Sequence, residues 1–480
     1  MRTRRSISSN FIYNLLFQIL IYAIPLITTP YVSRVLGAEH IGQYSYAMSI
    51  VAYFTLLATL GSTTHGQRTI AYYREDKDKL SKEFWNIISF RLIATIIAVF
   101  LYLVFLYFTN GVTTLGLLVI MNIVNVAIDV TWFYQGVEDF RQIAIRGILV
   151  KVFGLIGIFI FVKSVNDTWK YAIILLGSTI LGNLALWINI PKLVDKPHSI
   201  KPFSDIKDMW LVFLPTIASQ VYIVLDKSMI GWISKSNYAN GCYEQSEKLI
   251  RVAILLVTSI SSVILPRVAN LYHINKMKEV RRYVYSAYRV IFLLAMPLLF
   301  GVIGGASIFI PIYLGSGYDM SIQLLQIFSG LLIVVSLASV TGLAYLVPTR
   351  QQNVYTISVT MAAVVNLTLN SFFISRYSAI GAAVASVTAE TIGTIIQIGY
   401  CIYSKQLDLR KIFFPSWRYY VASIIMFICL LLEKKYVTLN IVGLLVLVIT
   451  GIAVYGAIIL LLKDDFAIEQ IEKVLRKLKT

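Results

Sequence analysis

The sequence predicts an all-α integral membrane protein of about fourteen transmembrane helices, two six-helix lobes plus a C-terminal helix pair, with both termini cytoplasmic. Three observations carry this. Hydrophobic residues make up 58% of the 480 residues and charged residues only 14%, against about 25% charged in soluble domains. Apolar stretches of about twenty residues, the length that crosses a bilayer core, recur along the whole chain. Basic residues concentrate in alternate connections. With the N-terminus inside, the inner segments hold 28 Lys and Arg and the outer ones 6, which sets the orientation because cytoplasmic loops retain positive charge.

The first seven spans fall at 10–36, 42–64, 85–108, 112–135, 142–162, 170–190 and 209–233. The remaining seven fall at 241–265, 287–310, 320–346, 354–375, 380–403, 418–433 and 440–462. The thirteenth is short, so twelve or thirteen crossings is also open. The basic start, with Arg2, Arg4 and Arg5, precedes an apolar run too long for a cleaved signal, so it reads as an uncleaved first helix. A weak repeat divides the chain. Gly37 closes the first helix and Gly42-Gln-Tyr44 opens the next; Gly231 closes the seventh and Gly241-Cys-Tyr243 opens the eighth, with 199 residues between the two Gly-x-Tyr copies. Both copies follow an odd-numbered helix, so the repeats are parallel. The expected lobes are 1–200 and 201–403, with 404–480 forming the last helix pair and an amphipathic cytoplasmic tail, Asp464 to Lys479, against anionic headgroups.

Several chemistries lack their residues. There is no phosphate-cradling G-x-x-x-x-G-K-[ST] loop, so no ATP-driven step and no cofactor is expected. Cys242, Cys401 and Cys429, and the four histidines, show no metal-ligand spacing. No catalytic motif or large outward loop argues for an enzyme. The net charge of +18 belongs to topology rather than to nucleic acid, because the basic residues form no aromatic-interleaved patch.

The intramembrane charges are the informative residues, since each costs about 2.5–3.5 kcal/mol in hydrocarbon on an insertion scale. Glu244 with Lys248, and Glu247 with Arg251, form two i,i+4 pairs on one face of the eighth helix. With Asp226, Lys227 and Arg34 at similar depth they suggest a polar outward vestibule. On the inner side, Arg91 in the third helix faces Asp129 in the fourth as a pairing candidate. Arg146 and Lys151, at the start of the fifth, leave excess positive charge suited to an anionic headgroup. Arg289 needs only to snorkel. Glu390, mid-helix in the twelfth, is a candidate ion or proton site. Pro25 and Pro30 in the first helix and Pro215 in the seventh are candidate breaks near a central site.

Trp132-Phe-Tyr-Gln-Gly136-Val-Glu138-Asp-Phe-Arg141-Gln-Ile-Ala-Ile-Arg146 resembles the signature of Wzx-type polysaccharide repeat-unit flippases. Pro30-Tyr-Val-Ser-Arg34-Val-Leu-Gly37, Leu225-Asp226-Lys227-Ser-Met-Ile-Gly231, Asn370 and Ala379-Ile-Gly381-Ala-Ala-Val-Ala385 are similar to the wider multidrug/oligosaccharidyl-lipid/polysaccharide exporter superfamily. Asp139 stands where a basic residue is common, which argues against headgroup contacts at that loop. The resemblance implies two lobes around a cationic cavity, and alternating access without ATP in the inner membrane. It also implies an undecaprenyl-pyrophosphate-linked oligosaccharide substrate for capsule, exopolysaccharide or O-antigen. Polysaccharide polymerase and glycosyltransferases are the expected partners besides membrane lipids. A drug or metabolite exporter of the same superfamily, or a teichuronic-acid or lipid II type flippase, stays open; the residues alone reach a secondary transporter with an anion-tolerant cavity.

Overall fold

The computed structural model describes residues 7–196 and 199–469, with the backbone alone for residues 7–23, 214–219 and 221–223. His198 and the tail beyond residue 469 lie outside the described residues. All regular structure among the described residues is helical. Eleven helical stretches are long and apolar enough to cross a bilayer, and two of these, Ile24–Tyr73 and Gln352–Tyr403, are 50 and 52 residues long, more than twice the ~20 that one crossing needs. The chain packs as two compact units, one ending at Gly241 and the other beginning at Cys242.

The first unit begins with α1, Ile7–Thr59, whose helical dihedrals break at Gly37 (φ 73°, ψ 169°). That positive φ favours glycine. The break falls between the first two expected spans. The expected breaks at Pro25 and Pro30 do not occur, because the helix continues through both. The Thr28 hydroxyl donates to the Ile24 carbonyl one turn back, at 3.1 Å. Next come α2, Ser62–Tyr73, and α3, Lys77–Phe108. The Asp76 side chain caps α3 by accepting from the Lys79 amide at 3.1 Å.

The fourth span was expected to be continuous, but it is three pieces: α4, Thr114–Leu118, α5, Ile120–Ile128, and α6, Thr131–Gly136. Asp129 is extended (ψ 118°) between the last two, and its carboxylate accepts from the Thr131 amide and hydroxyl at 3.0 and 2.7 Å. Such local side-chain bonds compete with the helix. The unit continues through α7, Phe140–Phe161, α8, Thr168–Trp187, and α9, Ile206–Met229. A π turn, Ile230–Ser234, closes α9. α9 packs on α1 and α2, so this unit extends past the repeat boundary expected near residue 200. Position 215 lies within this helix, outside the described side chains.

Next in the chain is α10, Asn237–His273, followed by α11, Met277–Tyr313, α12, Asp319–Phe328, and α13, Gly330–Ala338. A π turn, Ser339–Leu346, follows α13, and α14, Gln352–Tyr403, breaks at Ser378 (φ 51°, ψ −132°). α15, Leu409–Phe413, leads into α16, Trp417–Glu433, and α17, Ile441–Leu461. The last two helices pack on each other and on α11 around Ile308, Met426, Leu430 and Leu447. Both units carry large apolar side chains outward, as at Ile96, Phe100, Ile449 and Ile452, which are 61%, 64%, 64% and 70% exposed. Helices that are apolar all round suit a hydrocarbon solvent.

Candidate functional site

The aromatic run Trp132-Phe133-Tyr134 on α6 is fully buried and forms one core cluster of the first unit with Phe84, Ile70, Leu186 and Met209. Tyr134 donates to the Leu186 carbonyl at 2.6 Å, and Trp132 to the Asp129 carbonyl at 3.0 Å. A Cβ at Gly136 would collide with Ile70. The motif that carries the family resemblance is therefore a packing device, and it places Asp129 opposite α3.

Arg91 on α3 meets it there. Its guanidinium is 3.5 Å from the Asp129 carboxylate and 5.9 Å from the Trp132 ring, and the residue is 1% exposed. The Nε and Nη1 groups are buried without hydrogen-bond partners. The expected pair is thus brought together, with Arg91 closed off and Asp129 20% exposed. Arg146 on α7 donates to the Asn183 amide oxygen and the Thr179 carbonyl, and Asn183 in turn donates to Asn125 at 2.7 Å. Lys151, one turn further along α7, is half-buried and makes no hydrogen bond or ion pair among the described residues. The inner cations expected from the sequence are therefore one closed pair, one amide-held arginine and one uncommitted lysine.

At the other end of the first unit, Arg34 is exposed, Lys227 half-buried and Asp226 buried. The two Gly-x-Tyr segments meet here. A Cβ at Gly42 would collide with the Asn237 carbonyl, and one at Gly241 with the Ala38 carbonyl. Asn237 donates to the Glu39 carboxylate at 3.0 Å, and Asn240 to the Lys227 carbonyl at 3.0 Å. The sequence repeat is thus a backbone-to-backbone contact that only glycine permits.

In the second unit both i,i+4 pairs of α10 form: Glu244 with Lys248 at 2.8 Å and Glu247 with Arg251 at 2.5 Å. The acids are 14% and 10% exposed and the bases 41% and 57%, so the carboxylates point inward and the cations outward. Glu390 on α14 is half-buried. The same helix carries a buried polar ladder. Asn370 donates to Asn366, Asn366 to Ser386, and Gln397 to Ser358, at 2.9–3.2 Å. Sequence reasoning passed over this ladder, although Asn366 and Asn370 sit one turn apart in an apolar helix. It also assigned Arg289 to snorkelling. Arg289 instead pairs with the fully buried Asp464 at 2.8 Å, beside Arg418 and Tyr419. Among the described residues no three His, Cys, Asp or Glu side chains group as metal ligands.

Eleven apolar helical spans, with charged side chains paired or hydrogen-bonded at Arg91, Arg146, Glu244 and Glu247, define a multi-pass membrane protein of transporter architecture. The chain belongs to the polysaccharide biosynthesis protein family, whose model matches residues 7–272. It is 24% identical over 423 residues to a putative O-antigen transporter of Escherichia coli (strain K12), covering 84% of this chain and 98% of that one. It is 23% identical over 185 residues to a probable low-salt glycan biosynthesis flippase of Haloferax volcanii, covering 38% and 39%. The fold is similar to that of the lipid II flippase MurJ in an inward closed conformation. That likeness has a TM-score of 0.74 at 15% identity and covers 94% of this chain and 100% of that one. An inward-facing multidrug resistance MATE family transporter follows at TM-score 0.61 and 13% identity, covering 80% and 98%.

Proposed function

We propose that the protein is a flippase that moves an undecaprenyl-pyrophosphate-linked oligosaccharide from the inner to the outer leaflet of the cytoplasmic membrane for polysaccharide synthesis. The observation that carries this reading is the match along 98% of an O-antigen transporter, and the MurJ-like fold supports it. The two longest helical stretches each hold a non-helical residue, Gly37 or Ser378. Counting each as two crossings and α9 as one brings the total to fourteen, in lobes 1–200 and 201–403 with a final pair in 404–480 and both termini cytoplasmic. Lys151 and Arg146 receive the pyrophosphate on the inner side. Arg91 becomes available when the Asp129 pair opens. Lys248, Arg251, Lys227 and Arg34 guide release outside, while Asp226, Glu244, Glu247 and Glu390 balance charge or couple an ion. Transport proceeds by alternating access without ATP, with polymerase and glycosyltransferases acting on either side of the step.

The test is reconstitution in vesicles with a fluorescent lipid-linked oligosaccharide and a membrane-impermeant quencher. Protein-containing vesicles expose the inner-leaflet label with time, and empty vesicles do not. Equal protection in the two preparations removes the proposal. Reporter tags after Lys79 and Lys278 belong in the cytoplasm and one at Asn237 outside. The reverse pattern overturns the orientation.

A further inference from the structure

The second unit holds a cavity of about 980 Å³ where one end of α11, the 404–408 turn, α15 and the segment after α17 come together. Lys278, Arg281 and Arg282 enter it from α11, spaced so that they share one helix face. Lys405 enters from the 404–408 turn, and Arg410 and Lys411 from α15. None of the six makes an ion pair among the described residues. Arg289, also in the lining, pairs with Asp464, a carboxylate it shares with Arg418. The acid in the lining, Asp408, caps α15 by accepting from the Arg410 amide at 2.9 Å.

The cavity is held in shape. Gln351 and Gln406 exchange two amide hydrogen bonds at 2.9 and 3.0 Å, and Tyr345 donates to Gln406 at 3.0 Å. The Asp408 amide donates to the Tyr285 hydroxyl at 2.8 Å. Phe466 lies over the Arg289 guanidinium, 4.6 Å from it, and walls one side. Six cations gathered at one cavity repel one another, and an anion with several acceptor oxygens relieves that repulsion.

We propose that this cavity binds the phosphate headgroup of an anionic phospholipid. A phosphate matches the arginine donors, and its source is argued from what borders them. Leu409, Phe414 and Trp417 are 49%, 74% and 43% exposed beside the cavity, at the polar end of the α16 span. Aromatic and basic residues together at that depth are the pattern of a bilayer interface. A soluble phosphate has no use for this apolar shoulder, whereas acyl chains do. The inference does not rest on the transport activity proposed above.

The test titrates the full-length protein in detergent with phosphatidylglycerol, phosphatidylcholine and inorganic pyrophosphate, following binding by thermal stabilisation. Phosphatidylglycerol binds at least about tenfold more tightly than the other two. The exposed triple variant Arg281→Ala/Lys405→Ala/Arg410→Ala loses that preference, and Arg281→Lys/Arg410→Lys keeps most of it. Should the triple variant fold poorly, wild-type protein in about 1 M salt, where screening acts within about 3 Å, loses the preference instead. Equal binding of phosphatidylcholine, or an unchanged triple variant, overturns the proposal. Pyrophosphate matching phosphatidylglycerol assigns the cavity to a soluble anion and overturns the lipid.

Discussion

Arg91 and Asp129 put a full charge on each side of one contact inside the first unit, 3.5 Å apart. Leaving either charge without the other costs roughly 3–5 kcal/mol, while an apolar pair of similar volume is close to neutral. Arg91→Leu and Asp129→Leu singly should each cut folded protein sharply, and the double variant should recover much of it. Thermal unfolding of all four proteins measures the coupling, and strictly additive losses sink the pair. Lys151 is the contrasting residue, half-buried with no committed partner. Lys151→Ala should lower flipping by at least about a hundredfold at normal abundance, the loss expected for removing one charge-assisted contact made in transit, and Lys151→Arg should retain part. Flipping by the Ala variant at the wild-type rate excludes Lys151 from the path. Both positions were legible in the sequence because charge in an apolar run is costly wherever it points. The amide partner of Arg146 was not, since Asn183 lies 37 residues from it and is itself bonded to Asn125, 58 residues away, and nothing local announces their meeting.

Elements were legible in proportion to how far hydropathy alone decides them. Membrane helices need only length and apolarity, so the spans stood out, and Gly37 marked the first break through its backbone freedom. The break at Ser378 likewise falls in the gap between the expected spans 354–375 and 380–403, whereas the break at Asp129 and the π turns at Ile230–Ser234 and Ser339–Leu346 follow from local hydrogen bonding and tertiary packing, which no periodicity encodes. The Asp464 contact is of this kind, since it joins the end of α17 to α11 and α16 through Arg289, Arg418 and Tyr419. Burial alone would raise the Asp464 pKa, but the Ala467 amide, Arg289 and Tyr419 together hold it below the usual carboxylate value. A depressed folded-state pKa contributes stability that is complete above the unfolded value of about 3.9 and is lost as pH falls through the folded value. Asp464→Asn should therefore destabilise the final helix pair by roughly 3 kcal/mol at neutral pH. It should also flatten the acid limb of the stability curve. Unfolding midpoints from pH 7 down to the acid range check this, and parallel wild-type and Asn curves would remove Asp464 as the pin.

At the scale of the whole molecule, the proposed substrate settles what must drive it. A pyrophosphate diester carries two negative charges, and the interior of a respiring cell is negative, so outward transfer runs down the electrical gradient. Each charge gains about 2.3 kcal/mol per 100 mV, so two charges gain about 4.6 kcal/mol, a bias of about three orders of magnitude toward the outer leaflet. The protein then needs only to carry the charge through the bilayer inside a polar interior. The residues proposed for this are the inner cations of the first unit and the cations of α10, which are 41% and 57% exposed. In vesicles with uniformly oriented protein, a potassium diffusion potential negative on the cytoplasmic side should drive labelled lipid to the far leaflet, and reversing the potential should drive it back. A pH or sodium gradient at zero potential should add little. If a proton gradient alone restores full net transfer and the imposed potential has no effect, the charge does not cross uncompensated. Glu390, the half-buried acid of α14, then becomes the first position to neutralise, because a co-moving proton needs a carboxylate within the membrane.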